Sequence, residues 1–468
     1  MNKAENELAE TTKSGRFAEA IAKQEVLVLR RDGLSYGNLA GAAATVYERA
    51  GQSLHQHRVA QARPTIFLLC NFVYHKRSKE SWDQFRGKTT QCEVLYPLIE
   101  QILAVYGADV RIRIGNAPLQ GASWQRLVDE IGLSRLVTHF RERLHADVIE
   151  LCDLRLHVRE STGHYMTSRV RAEDEYRSDQ CVLVDLAKKS LLEEVTGEDT
   201  AFRVVDYGAD RITRCHRPGE HVYIIARKVI ESDLIISVPK LKTHEKVGIT
   251  AGIKGCVGII AHKDCLPHHR KGSAADGGDE YQRPSRVRRL LSDYHDFVNR
   301  LRPSIAADCL LLSDRVLRKL HARGRASFSA GSWSGNDTAW RMSLDLARIS
   351  LYATRDGQMA DQPVRPHFVL TDGVIAGEGQ GPLDVDPVHF GYLSWSEDLA
   401  ASDLVNSAAM GMNLDQLPIV RNAFCLSNYP LTTLGGPDDV ALAVNGRAKS
   451  LAEFRRSEAR KFRMPRGW

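Results

Sequence analysis

No two of the chain's nine cysteines, which run from Cys70 to Cys425, stand in a C-x-x-C pair. Zinc ribbons, ferredoxin-type clusters and thioredoxin-like redox motifs need closely spaced thiolates, so the sequence argues against all three. Scattered, odd-numbered cysteines fit reduced thiols in a cytosol. A Walker sequence and a G-x-G-x-x-G dinucleotide fingerprint are also missing, as is H-E-x-x-H. Charge interrupts every apolar run well before 18 residues, so no segment is expected to span a bilayer. Met1 to Arg16 has no apolar centre, which argues against secretion; a cytoplasmic protein without a membrane partner is the expectation. The net charge of +6 is a small excess for 468 residues. The arginine-rich stretch 285–325 carries no specific nucleic-acid module motif, so nucleic acid is not the expected partner.

The chain does have an ordinary supply of core-forming residues, 43% hydrophobic against 26% charged. Glu25 to Arg30 alternates like a strand, and Leu34 to Ala50 reads as a helix ended by Gly51. Pro64 to Asn71 is a continuous apolar run of the kind found in strands buried on both faces. Thr89 to Tyr106 has helical periodicity and is followed by Gly107, and Val110 to Gly115 is another strand. Strand, helix and strand with short connections predict a βαβ unit. Further strands are expected at 202–206, 222–226, 233–239, 366–372 and 392–395, with helices at 123–132, 285–301, 308–325, 333–350 and 402–410.

The predicted fold is α/β, a mostly parallel sheet with helices on both faces and charged helical insertions. Residues 1–22 read as a polar tail and 23–430 as the α/β domain. Insertions fall at about 140–200 and 305–350, and 431–468 reads as a peripheral basic tail.

Chemistry concentrates after the strand Asp233 to Pro239. Between Ser237 and Lys271 stand seven cationic side chains, among them Lys240, Lys242, Lys246, Lys254 and Lys263, against only Glu245 and Asp264. His244, His262, His268 and His269 lie in the same window. A basic loop beyond the carboxyl end of a strand is where open α/β sheets place ligands. Lys240 and Lys242, two apart, share a face if the segment is extended. Glycines at 248, 252, 255 and 258 permit close approach of backbone to a ligand. Lys254 among small residues is expected to be partly desolvated, which suits acid–base chemistry. A carboxylate or phosphate is the natural guest. A second loop, Thr371 to Pro382, follows another strand. Its Asp372 and Glu378 are candidates for acid–base work or for a divalent metal.

Four segments together resemble the family called domain of unknown function 362. They are Cys70-Asn71 with Gly87 to Thr90; Ser232 to His244 with Gly248 to Thr250 and Ile253 to Gly258; Thr371 to Val374 with Glu378 to Pro382; and Ser396 to Asp398 with Asp403. The string Pro-Lys-Leu-Lys-Thr-His is the most specific. The resemblance implies an α/β domain whose segments gather around one cleft. Some relatives carry an added ferredoxin-like part, which has no counterpart here.

The site expected from these readings has Lys254, His262 and Asp372 as catalytic groups. Lys240, Lys242, His244 and Asn71 bind a small anionic metabolite, and Glu378 with Asp372 hold a metal. The alternative is a non-catalytic metal, iron–sulfur or redox accessory protein using His244, His262, His268, Cys256 and Cys265. The central expectation is that His244 and Asp372 face one cavity.

Overall fold

The computed structural model describes residues 26–156, 158, 179–204, 209–301, 305–322 and 330–468. Sixteen described strands occur in chain order. The first four are β1 (Val26–Arg30), β2 (Thr65–Cys70), β3 (Arg111–Asn116) and β4 (Ile149–Asp153). Two peripheral groups supply β5 (Cys181–Asp185), β6 (Phe202–Arg203), β7 (His216–Arg217) and β8 (Glu220–Ala226). Then come β9 (Leu234–Val238), β10 (Lys240–His244), β11 (Gly248–Thr250) and β12 (His269–Arg270). The last four are β13 (His367–Gln380), β14 (Asp384–Ser396), β15 (Leu442–Val444) and β16 (Arg447–Lys449).

The central sheet runs β16-β15-β1-β14-β13-β9-β2-β3-β4, with β10 and β11 added beside β13. From β13 through β9, β2 and β3 to β4 every pairing is parallel, and antiparallel β14 joins β13 to β1. Successive side chains of β2 feed opposite cores: Ile66, Leu68 and Cys70 on one face, Phe67 and Leu69 on the other. The first face is covered by the helices Ala44–Gln56, Cys92–Tyr106, Trp124–Ile131 and Leu133–Leu144. The helices Ala339–Tyr352 and Leu399–Ala409 lie on the second. This is the predicted α/β sheet with helices on both faces, and the apolar run at 65–70 is its doubly buried centre. The charged helices Arg286–Arg300 and Ile305–Ala322 pack on each other. Among the described residues, no helix is long and apolar enough to cross a membrane.

Several expectations need correction. The helix expected to stop at Gly51 continues to Gln56. Tyr47, Ala50 and Leu54 are buried, and the missing side chain at Gly51 makes room for Gln101, so packing outweighs glycine's weak helix propensity. The stretch at about 140–200 contributes β4 to the sheet edge, while its charged part, 159–178, lies outside the described residues. Within 305–350, the helix Ala339–Tyr352 belongs to the core through Met342, Leu346 and Ile349. The basic tail is integral: β15 pairs in parallel with β1, and Phe462 packs edge-on against Phe390 at 5.1 Å.

Two segments expected to be loops are strands. Lys240 to His244 continues past Pro239 as β10, and Thr371 to Gln380 extends β13. Glycine-rich text is usually read as a turn. Here Gly377 sits where its missing Cβ would strike the backbone of Gly87, so it serves close packing of strand against helix.

Candidate functional site

A cleft of about 1090 Å³ opens beyond the carboxyl ends of β2, β3 and β9. Asn71 follows β2, and Asn116 ends β3. Lys242 and His244 project from β10, and Thr250 from β11. The short helix Gly252–Gly255 contributes Lys254. The loop after it contributes Lys263, Leu266 and His268. His75, Arg77 and Arg126 form the opposite wall, and Pro382 and Leu383 of the β13–β14 turn close the rim. Six lysine and arginine side chains line the cleft, and Glu245 is its single acidic residue.

Local structure explains the placement. Asp403, fully buried, accepts the backbone N–H groups of Gly252 at 2.7 Å and Ile253 at 3.1 Å. A carboxylate thereby holds the first turn that carries Lys254. Burial pushes the Asp403 carboxyl up to about 7, against the lowering effect of those two N–H donors. Asn116 donates Nδ2–H to the Cys70 carbonyl at 2.5 Å, joining the ends of β3 and β2. Any side chain at Gly258 would collide with that amide.

The cations differ in how far they are already engaged. Lys242, 0% exposed, donates to the Lys88 carbonyl at 2.6 Å. Lys88 is itself bound to Glu80 at 2.7 Å. Lys246 donates to the Ala330 carbonyl. Arg77 bonds to Asp384 at 2.6 Å and Arg126 to Glu130 at 2.7 Å. Lys254 and Lys263, 8% and 7% exposed, have no hydrogen-bond or ion-pair partner among the described residues.

Burial, then the neighbouring Lys246, lowers Lys254 to about 8. Burial, then Lys254 and Arg155, lowers Lys263 to about 7. His244 is held well below its ordinary value by burial and then Lys254. His268 is lowered to about 3 by burial and the same lysine. Near neutrality the cleft thus offers neutral imidazoles and two lysines balanced between charged and neutral. Two uncharged groups complete it: Asn71 Oδ1 and Thr250 Oγ1 are buried without a hydrogen-bond partner among the described residues.

The structure divides the predicted site residues. Lys242, His244, Lys254 and Asn71 meet at the cleft. Lys240 and Asp372 meet elsewhere. Their side chains, both 0% exposed, form an ion pair at 2.5 Å. Tyr36 accepts from Lys240 at 2.7 Å and donates to Asp372 at 3.1 Å. The backbone N–H groups of Gln91 and Val374, each at 3.3 Å, occupy the carboxylate further.

Lys240 and Lys242 stand two apart on the extended β10 but take different partners, because the β10–β13 register shifts between them: Lys240 lies opposite Asp372, and Lys242 opposite Gly377. Neither Asp372 nor His262 lines this cleft, so Asp372 does not share it with His244. Glu378 accepts from the Arg463 backbone N–H at 2.9 Å. It stands six residues beyond Asp372 on the same strand, roughly 20 Å away at about 3.3 Å per residue, so one ion cannot touch both. Among the described residues no group of three or more His, Cys, Asp or Glu side chains is placed to hold a metal ion.

Lys263, Thr250, Asn116 and the wall of His75, Arg77 and Arg126 were not among the predicted site residues. Asn116 carries a legible signal, since it directly follows the predicted strand Val110 to Gly115.

Comparison with known proteins adds a family match. No curated protein matches the chain. Among solved structures, a structural-genomics protein from Thermotoga maritima is similar at 10% identity and a TM-score of 0.33. That match covers 76% of this chain and 54% of the other. The lactate racemase apoprotein from Thermoanaerobacterium thermosaccharolyticum is similar at 10% identity and a TM-score of 0.30, covering 75% of this chain and 51% of that one. The chain thus spans about half the length of these solved chains. Residues 177–408 match the family model described as Domain of unknown function (DUF362). That range contains β9 to β11, Lys254, Lys263 and Asp403, and leaves out Asn71, His75 and Asn116. Through this match residues 177–408 are identified with the DUF362 family.

Proposed function

We propose that the cleft binds a small anionic metabolite, a carboxylate or a phosphate ester, and that Lys254 and Lys263 supply its countercharge. One observation carries this reading: two buried lysines face the cleft without an ion-pair partner among the described residues, amid four further cations. An ammonium removed from water is costly unless an anion joins it, so an arriving carboxylate or phosphate relieves a strain already present. Asn71 Oδ1 and Thr250 Oγ1 orient the rest of the ligand.

The same lysines are matched to proton transfer. A group whose ordinary value is 10.5, brought to about 7 or 8, takes up and releases a proton near neutral pH. In this reading Lys254 or Lys263 moves a proton at an anion held by the other. The test is calorimetric titration with inorganic phosphate, pyrophosphate and small carboxylates, on wild type and on Lys254→Met and Lys263→Met. Saturable binding that weakens at least tenfold in either variant supports the proposal. No binding of any anion, or equal affinity in all three proteins, overturns it.

A further inference from the structure

Cys215 and Cys265 are fifty residues apart in sequence, yet their Sγ atoms lie 3.0 Å apart. Cys215 ends the helix Ala209–Cys215, and Cys265 ends the turn Lys263–Cys265, against which that helix packs. A disulfide requires an approach to about 2.0 Å, so closing this pair takes a movement of about 1 Å. The surroundings fix both partners: His216 bonds to the Cys265 carbonyl at 2.9 Å, and the two thiols are 2% and 0% exposed.

We propose that Cys215 and Cys265 form a reversible disulfide, with a hydroperoxide as oxidant, and that this bond governs the loop bearing Lys263. The burial selects a small oxidant. One thiolate attacks the peroxide oxygen, giving a sulfenic acid and releasing water or an alcohol. The second thiol attacks the sulfenic sulfur, forming the S–S bond and expelling water. Two sulfurs are oxidised and the O–O bond is reduced, and dithiol reduction returns the pair to thiols.

The position gives the bond a consequence. Lys263 stands two residues before Cys265, and Leu266 and His268 follow it on the cleft wall. A cross-link to the neighbouring helix pins this loop, so less order is lost when an anion binds there. This second part rests on the anion-cleft reading; the cross-link itself does not.

The experiment treats the full chain with hydrogen peroxide, alkylates remaining thiols and maps peptides without reduction. The expected result is a linked pair of peptides containing Cys215 and Cys265, absent in Cys215→Ser and Cys265→Ser and removed by dithiothreitol. Thiols at 215 and 265 that stay alkylatable, or oxidise separately to sulfinic acids, overturn the disulfide. Oxidised and reduced proteins are then titrated with inorganic phosphate. Binding about threefold or more tighter in the oxidised form, unchanged by peroxide in Cys215→Ser, supports the coupling. Equal affinity in both forms overturns it. Because the peptide map is read without any anion, failure of both forms to bind phosphate counts against the cleft reading and its coupling, and leaves the disulfide standing or falling on the map.

Discussion

Replacing Lys263 by methionine is expected to stabilise the protein while removing its anion affinity. The side chain is 7% exposed and has no hydrogen-bond or ion-pair partner among the described residues. Its ammonium is depressed from 10.5 to about 7 by burial and then by Lys254 and Arg155. The unfolded chain therefore binds more protons than the folded one between about pH 7 and 10.5. Stability rises with pH across that window, and the full cost of the lysine is felt below pH 7. At about 1.4 kcal/mol for each factor of ten, the upper bound is roughly 4–5 kcal/mol. Relaxation and water in the cleft reduce the expected gain in Lys263→Met to about 1–2 kcal/mol. Urea unfolding in an anion-poor buffer without phosphate, at pH 6.5 and again at pH 9.5, measures it. The variant should exceed wild type at pH 6.5, and the gap should shrink at pH 9.5. A variant less stable than wild type at pH 6.5, or a gap independent of pH, refutes the argument that the ammonium is strained.

Lys240→Met strands the Asp372 carboxylate in the interior and should cost about 3–5 kcal/mol in urea unfolding, with much of the loss recovered in the double variant Lys240→Met/Asp372→Leu. Asp403→Ala leaves the Gly252 and Ile253 N–H groups unsatisfied and should cost about 2–4 kcal/mol, with phosphate binding weakened because the turn carrying Lys254 loses its anchor. Since burial raises Asp403 to about 7, the folded state binds more protons than the unfolded between about pH 4 and 7. This group's contribution to stability therefore falls across that range, and comparison of Asp403→Ala with wild type at pH 5 and pH 7.5 should show the larger loss at pH 5.

Much of the fold was legible because it rests on local pattern. The run Pro64 to Asn71 and the periodicity from Thr89 to Tyr106 each report burial directly, and the parallel β2–β3 pair follows from them. Asp398, a residue type that favours helix N-termini, accepts the Ala401 N–H at 2.8 Å.

The site was legible as a region more than as a set of side chains. The cluster from Lys242 to Lys263 does surround a cleft, but between Lys240 and Lys242 the pairing partner jumps from Asp372 to Gly377, and no periodicity announces it. The acidic partner of Lys240 stands 132 residues away and depends on Tyr36, far upstream. Asp403, which stands within one helix, caps another 150 residues earlier in the chain. Long-range pairings of this kind are decided by packing.

The central claim is that the cleft binds an anion through lysines held near neutrality, and the pH dependence of inorganic phosphate affinity tests it most directly. Lys263 and Lys254, at about 7 and 8 in the empty cleft, are charged at pH 6.5 and neutral at pH 9.5. Calorimetry should therefore show affinity falling by tenfold or more between those values, with protons taken up on binding near pH 7.5. Affinity that is constant across that range, or no binding at pH 6.5, contradicts the account.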